Sequence, residues 1–398
     1  MAFQQAVPEQ ARERTAAEPD FSLVLGGPLY QLLLRAHVTQ PNLGLVQRRI
    51  IAAIALTWLP LALLTTAAGK FFGGTEVPFL YDLDVHVRFL LTLPLLIAAE
   101  VIVHRRVRSV IEQFRERDLI SRADRPAFES IVAGAMRLRN SIAAELLLLL
   151  LAVTAGYWLW RWQARLHVVT WYADATAFTG AGYWYAFVSV PVFRFVIMRW
   201  YYRLFIWYVF LFRVSRLNLQ LNALHPDRAG GLQFLTLSSA AILPVLMAQT
   251  VFLSGLIGNQ IWHDGASLPD FKFLIGGIIG FLMLLTLLPL ALFAMPLAAA
   301  KRAGLREYGL FATRYAREFR EKWLRGDAEQ GDPLGTGDIQ SLADLGNSYA
   351  VVNEMSLLPF DRRFILRAAV VLAIPLAPLA LTMFPFDVLM QQLIKLVL

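Results

Sequence analysis

The feature that most constrains this chain is a series of apolar stretches, each long enough to cross a bilayer as a helix. A crossing takes about 20 residues at about 1.5 Å of rise per residue. Inside hydrocarbon, every backbone N–H and C=O must be satisfied within the segment, which restricts the choice to helices or a closed barrel. Seven stretches qualify: 50–69, 87–104, 141–160, 183–212, 233–262, 273–299 and 364–384. They predict an all-α fold, a polytopic transmembrane helical bundle of about seven spans with amphipathic cytoplasmic helices. Only 17% of the residues are charged, whereas a soluble domain carries about 25%. The deficit is concentrated in those stretches.

The net charge is +8, which in a soluble protein would suggest nucleic acid. Here the bases gather at the ends of the apolar stretches, as the positive-inside bias produces, so no nucleic-acid partner is expected. Alternating the loops from a cytoplasmic N-terminus puts each arginine-rich loop inside, and the C-terminus outside unless the tail re-enters. The lipid bilayer is thus the first expected partner, and a bacterial inner membrane the expected location. The chain has no cysteine, which excludes disulfides and thiolate chemistry. No removable signal peptide is expected in the first 49 residues.

Four segments follow from this reading. Residues 1–49 form a cytoplasmic N-terminal segment, disordered over 1–20 and with an interfacial helix from about Pro28. Residues 50–299 hold six spans and a cytoplasmic loop, 105–140, with nine arginines against five acids. That loop reads as two amphipathic helices split near Ser121–Pro126. Residues 300–362 are a cytoplasmic helical segment broken by Gly, Asp and Pro at 326–338, and 363–398 hold the last span and a short apolar tail. Trp158, Trp160 and Trp162 read as an aromatic belt, and Gly276, Gly277 and Gly280 as a surface another helix can approach closely.

The strongest functional signal is ionisable residues within spans, which are costly and mark either a pathway or a pairing. Glu100, Glu145, Arg194, Arg199 and Arg203 are the candidates for a polar interior. At 100° per residue, Arg199 and Arg203 lie about 40° apart, with Arg213 on their face and Arg194 pointing elsewhere. Such a face would line a pore or cavity that attracts anions, or would form buried Glu–Arg pairs that fix helix register. Its irregular spacing does not supply a voltage sensor. A second candidate is the loop His225-Pro226-Asp227-Arg228-Ala229-Gly230-Gly231, read as a tight turn or a gating loop. A third is Phe311, Tyr315, Phe319 and Trp323, every fourth residue among bases, which fit a lipid or partner surface or packing against an apolar face at 342–352. Proline breaks in the last three spans favour a moving or cavity-forming half.

The six histidines show no metal-ligand spacing, and no nucleophile elbow or phosphate-cradling loop is present. No catalytic residue, metal or cofactor is expected, although an interfacial enzyme using Asp, Glu or His stays open.

The stretch Ile339-Gln340-Ser341-Leu342-Ala343-Asp344-Leu345-Gly346-Asn347-Ser348-Tyr349, with Val351-Val352, Leu358-Pro359-Phe360 and the loop 225–232, resembles bacterial multi-spanning inner-membrane proteins of no assigned function. The resemblance covers roughly the C-terminal half. It implies membrane location and cytoplasmic helices before the last span, and no substrate. Two function classes follow from the sequence. One is a channel or transporter for ions or small solutes, a homo-oligomer. The other is a membrane-embedded sensor or interaction protein acting through its cytoplasmic helices.

Overall fold

The computed structural model describes residues 21–35, 45–163, 170–173, 177–325 and 337–383, with backbone alone at 29, 32, 33, 35 and 155–163. The expected disorder of 1–20, the tryptophan belt side chains and the apolar tail lie outside the described residues. Among those described, the structure is helical and carries no strand beyond three isolated bridges. Six helical stretches are long and apolar enough to cross a membrane: Val46–Ala67, Leu83–Glu116, Gly180–Val214, Leu235–His263, Leu268–Ala291 and Arg362–Met383. The remaining expected span is a helix over Ile142–Gln163, whose described side chains over Ile142–Thr154 are apolar apart from Glu145 and Thr154. The chain is therefore a multi-pass membrane protein with an all-helical bundle.

In chain order the helices are α1 (Pro28–Arg35), α2 (Val46–Thr57) and α3 (Leu59–Ala67), the last two separated only at Trp58, just before Pro60. Then come α4 (Leu83–His86), α5 (Leu93–Glu116), α6 (Arg125–Arg139) and α7 (Ile142–Gln163). They are followed by α8 (Gly180–Trp184), α9 (Val190–Val214), α10 (Leu235–His263) and α11 (Lys272–Ala291). The series ends with α12 (Ala294–Phe319), α13 (Gly337–Glu354), α14 (Arg362–Ala373) and α15 (Ala377–Ala380). The best-buried helix, α10, packs on α5, α11 and α14, while α9 packs on α6 and α7, and α2 on α5. Helices α12 and α13 form a hairpin beyond the bundle.

Two local features come directly from proline. Pro94 and Pro191 lack the N–H that would close the preceding turn. Each is preceded by a π turn, Val87–Thr92 and Tyr185–Ser189, in which Leu93 N–H reaches Arg88 O and Val190 N–H reaches Tyr185 O, five residues back. The π turns join α4 to α5 and α8 to α9 into continuous rods. Gly255 of α10 makes the first contact possible, since a Cβ there would stand 2.7 Å from Val87 Cβ.

The boundaries depart from the sequence reading in three places. The first amphipathic helix of 105–140 is the continuation of the second span to Glu116, and only Arg125–Arg139 is separate. The sixth span ends at Ala291, and the chain turns at Leu292–Phe293 before α12. Residues 21–27 do not share the surface position expected of the segment that follows them. Phe21, Leu23 and Val24 are buried in the main core, with the Phe21 ring 5.8 Å from that of Phe210.

Candidate functional site: two buried ionic clusters

Alternation along the rods places Glu100, Glu145, Arg199 and Arg203 at the arginine-rich end of the bundle, on three different helices. There Arg203 Nη1 donates to Glu100 Oε1 at 2.7 Å, and Arg49 of α2 donates to the other carboxylate oxygen. Arg199 Nη2 stands 3.4 Å from Glu145 Oε1. All five are at most 9% exposed. The Arg203 guanidinium also lies over the Trp200 ring, 4.9 Å from its centroid. A lone buried ion costs several kcal/mol, so these charges are tolerable only because they meet. Arg49 was not singled out from sequence, since it sits where an ordinary cytoplasmic flank is expected.

The N-terminal segment 21–27 is laid over this cluster as a strap. Arg139 Nη1 donates to Ser22 O at 2.5 Å, Gly27 N donates to Asn140 Oδ1 at 3.1 Å, and Arg199 Nη2 reaches Gly26 O at 3.5 Å. Gly27 has φ +88°, and a Cβ there would lie 2.6 Å from Glu145 Oε1. Between strap and bundle is a crevice lined by Gly26, Arg139, Glu145, Arg199, Tyr202 and Arg203, with room for about one water molecule.

A second cluster, which sequence reasoning missed, sits at the opposite end of the same two rods. Asp82 accepts from Val85 N at 3.3 Å and from Trp171 Nε1 at 2.8 Å. Asp84 pairs with Arg88, whose Nη1 donates to Tyr185 Oη at 2.9 Å. Arg88 and Tyr185 each accept the long bond of their π turn, so the two distorted turns meet through their side chains. Trp58 Nε1 donates to His86 Nδ1 at 3.0 Å, and an indole can only donate. His86 Nδ1 is therefore the acceptor, and Nε2 carries the proton directed at Phe79 O and Leu80 O, 3.0 and 3.1 Å away. The signal available in sequence was Arg88 four residues after Asp84.

Between the clusters the rods present Leu93, Leu96, Phe193 and Trp200, all buried, and Trp200 Nε1 donates to Leu96 O at 3.1 Å. Arg88 and Glu100 are thus about 18 Å apart along the helix, with an apolar layer between them. Arg194 joins neither cluster. It is half-buried, its charge is within reach of Arg88 and Tyr185, and its buried Nη1 has no hydrogen-bond partner among the described residues.

The loop candidate forms a turn. Asp227 accepts from the backbone N–H of Ala229, Gly231 and Gln233 at 2.8, 3.0 and 3.1 Å, and His225 Nδ1 lies 2.8 Å from its Oδ1. Burial acts to raise its carboxyl pKa, but the three amides and His225 outweigh that and hold it below the ordinary value. Arg228, at φ +53°, presents its carbonyl to Ser356 N at 2.7 Å and its guanidinium to Glu354 at 3.0 Å. Lys301 Nζ donates to Met355 O at 3.0 Å. The loop thereby latches the end of α13 to the bundle.

Of the aromatic row on α12 and the π turn Arg320–Leu324 that follows it, Tyr315 Oη donates to Asp338 O at 3.1 Å and Trp323 Nε1 to Asp338 Oδ2 at 2.9 Å, which secures the start of α13. Lys322 and Trp323 hold the Asp338 carboxyl below its ordinary pKa. Phe319 is half-buried, and Phe311 is 56% exposed.

Compared with known proteins, the chain gives no significant match to any family model, curated protein or solved structure.

Proposed function

We propose that this membrane protein is a channel or transporter for ions or small solutes, held here in a closed state. The observation that supports the reading is the arrangement of α5 and α9: an ionic cluster at each end, separated by an apolar layer closed by Trp200 and Leu96. Charged side chains aligned on both sides of a dry septum suit a path that opens by separating two helices. The proline-linked π turns give those helices a deformable point beside one cluster. The arginine-rich end is cytoplasmic in this reading, with the N-terminus inside a bacterial inner membrane. Assembly as a homo-oligomer is supported by Gly276, Gly277 and Gly280, where an added Cβ meets nothing within 4 Å and a second copy has room to approach.

The test is flux through liposomes carrying the purified chain, with anion and cation gradients, beside Arg199→Gln. Arg199 is the best control because its contacts, at 3.4 and 3.5 Å, are the loosest of the cluster. Selective flux that this variant alters is the expected result. Well-folded protein that passes no ion or small solute under any gradient sinks the transport reading.

In the alternative reading, the chain is a membrane-embedded sensor or interaction protein working through α12 and α13. It is favoured by the exposure of Leu310 (68%) and Phe311 (56%) on a hairpin latched to the bundle at Arg228–Glu354.

A further inference from the structure

The cluster at the arginine-rich end is unbalanced. Arg49, Arg139, Arg199 and Arg203 face only Glu100 and Glu145 among the described side chains, an excess of two positive charges. Arg139 has no carboxylate partner among the described residues. Its guanidinium is spent on Ser22 O, at 2.5 Å, and on Asn140 Oδ1, at 3.1 Å. Among the described residues Arg199 makes two long contacts, one to Glu145 Oε1 at 3.4 Å and one to Gly26 O at 3.5 Å. Arg49 Nη1 is buried with no hydrogen-bond partner among the described residues. Neutral backbone carbonyls of the strap therefore stand where anionic oxygens would bind more strongly, since hydrogen bonds to a charged acceptor are about twice as strong.

We infer that the pocket between the 21–27 strap and helices α6, α7 and α9 binds a phosphate-type dianion, whose oxygens take the places of Ser22 O and Gly26 O on Arg139 and Arg199. The inference uses the cluster of the transport reading and names its ligand class, without requiring that the ligand cross the membrane. Planar guanidinium forks suit the several oxygens of a phosphoryl group better than a single spherical ion. A double negative charge also matches the excess of two among the described side chains. The crevice as it stands is too small for such a group, so binding requires the strap to lift. Strap and anion compete for the same donors.

The phosphoryl group could belong to a free anion or to a lipid headgroup, and the experiment separates them. The full chain is placed in nanodiscs of phosphatidylcholine and titrated by calorimetry with inorganic phosphate at constant ionic strength, with chloride as the control. A second set of discs contains phosphatidylglycerol, with lipid retained on the protein read by native mass spectrometry. Gly27→Ala dislodges the strap, because φ +88° and the 2.6 Å approach to Glu145 both disfavour a side chain. It is expected to tighten phosphate binding about tenfold by removing the competitor. Arg139→Gln in the same background is expected to abolish the gain. Binding of inorganic phosphate that depends on Arg139 identifies a free anion. Arg139-dependent retention of phosphatidylglycerol alone identifies a lipid headgroup. If Gly27→Ala exposes residues 21–27 to hydrogen exchange and still neither ligand binds, the inference is overturned. Phosphate binding without flux would sink transport and leave the site standing.

Discussion

At the scale of single residues, the position of a charge decides its weight. Glu100 is the shared partner of Arg49 and Arg203, all three buried. Replacing it by Gln leaves two buried guanidiniums without a counter-charge, and the expected loss is about 3–5 kcal/mol. Chemical unfolding in detergent measures it. The exposed pair Arg108–Glu112 is the comparison, and Glu112→Gln should cost under about 1 kcal/mol. Equal effects would mean that the inner cluster is solvated. Asp227 supplies a pH signature. Its folded pKa lies below the ordinary 3.8, so ionisation stabilises the loop at pH values above that. The contribution is lost as pH falls from about 4 through the folded value. Protection of the Ala229, Gly231 and Gln233 amides should therefore be retained at pH 5 and fall in stronger acid, while Asp227→Asn should already be unprotected at neutral pH.

At the scale of elements, the two π turns that precede Pro94 and Pro191, unlike the one at Arg320–Leu324, carry a dependence on proline. Pro94→Ala restores the missing donor and lets Val87–Thr92 tighten to an α turn. Tightening rotates Arg88 away from Tyr185 by up to about 100°. In a double-mutant cycle, Arg88→Gln and Tyr185→Phe should couple in the parent and become additive once Pro94 is replaced. Coupling that survives would show that the π turn does not depend on the proline. The hairpin has its own hinge. Arg228→Ala removes a half-exposed ion pair, so global stability should change by less than about 1 kcal/mol. Hydrogen exchange in the last turns of the Gly337–Glu354 helix should nevertheless rise, because Glu354 is one of the ties at that end. Helix existence was legible in the sequence because hydropathy runs and arginine flanks are local signals. The π turns were not, since they need the partner helix that rewards them. The pairing of Arg203 with Glu100 was within reach, since both are ionisable residues inside predicted spans and buried Glu–Arg pairs were one of the two readings of the arginine face. Arg49 and Asp84 fall just outside the predicted spans 50–69 and 87–104, where burial of a polar residue leaves no periodic trace.

At the scale of the whole molecule, the face of Gly276, Gly277 and Gly280 on α11 is open in the described bundle. Gly280→Leu adds bulk where nothing within the chain is in the way. If copies assemble through this face as proposed, the variant is expected to run as a monomer in light scattering where the parent does not, while leaving the unfolding midpoint unchanged. A lowered midpoint with unchanged mass would place that face inside the subunit. The strap has a consequence for how the molecule comes to exist. Gly26 and its guanidinium partner Arg199 are 173 residues apart, with three of the long apolar helices and the Ile142–Gln163 helix between or around them. Synthesis at about 5–20 residues per second opens an interval on the order of ten to thirty seconds between the two ends of that contact. The 21–27 strap is therefore fitted only after its seat has been translated and inserted, so a bulky fusion at the front of the chain should delay final assembly more than it hinders insertion.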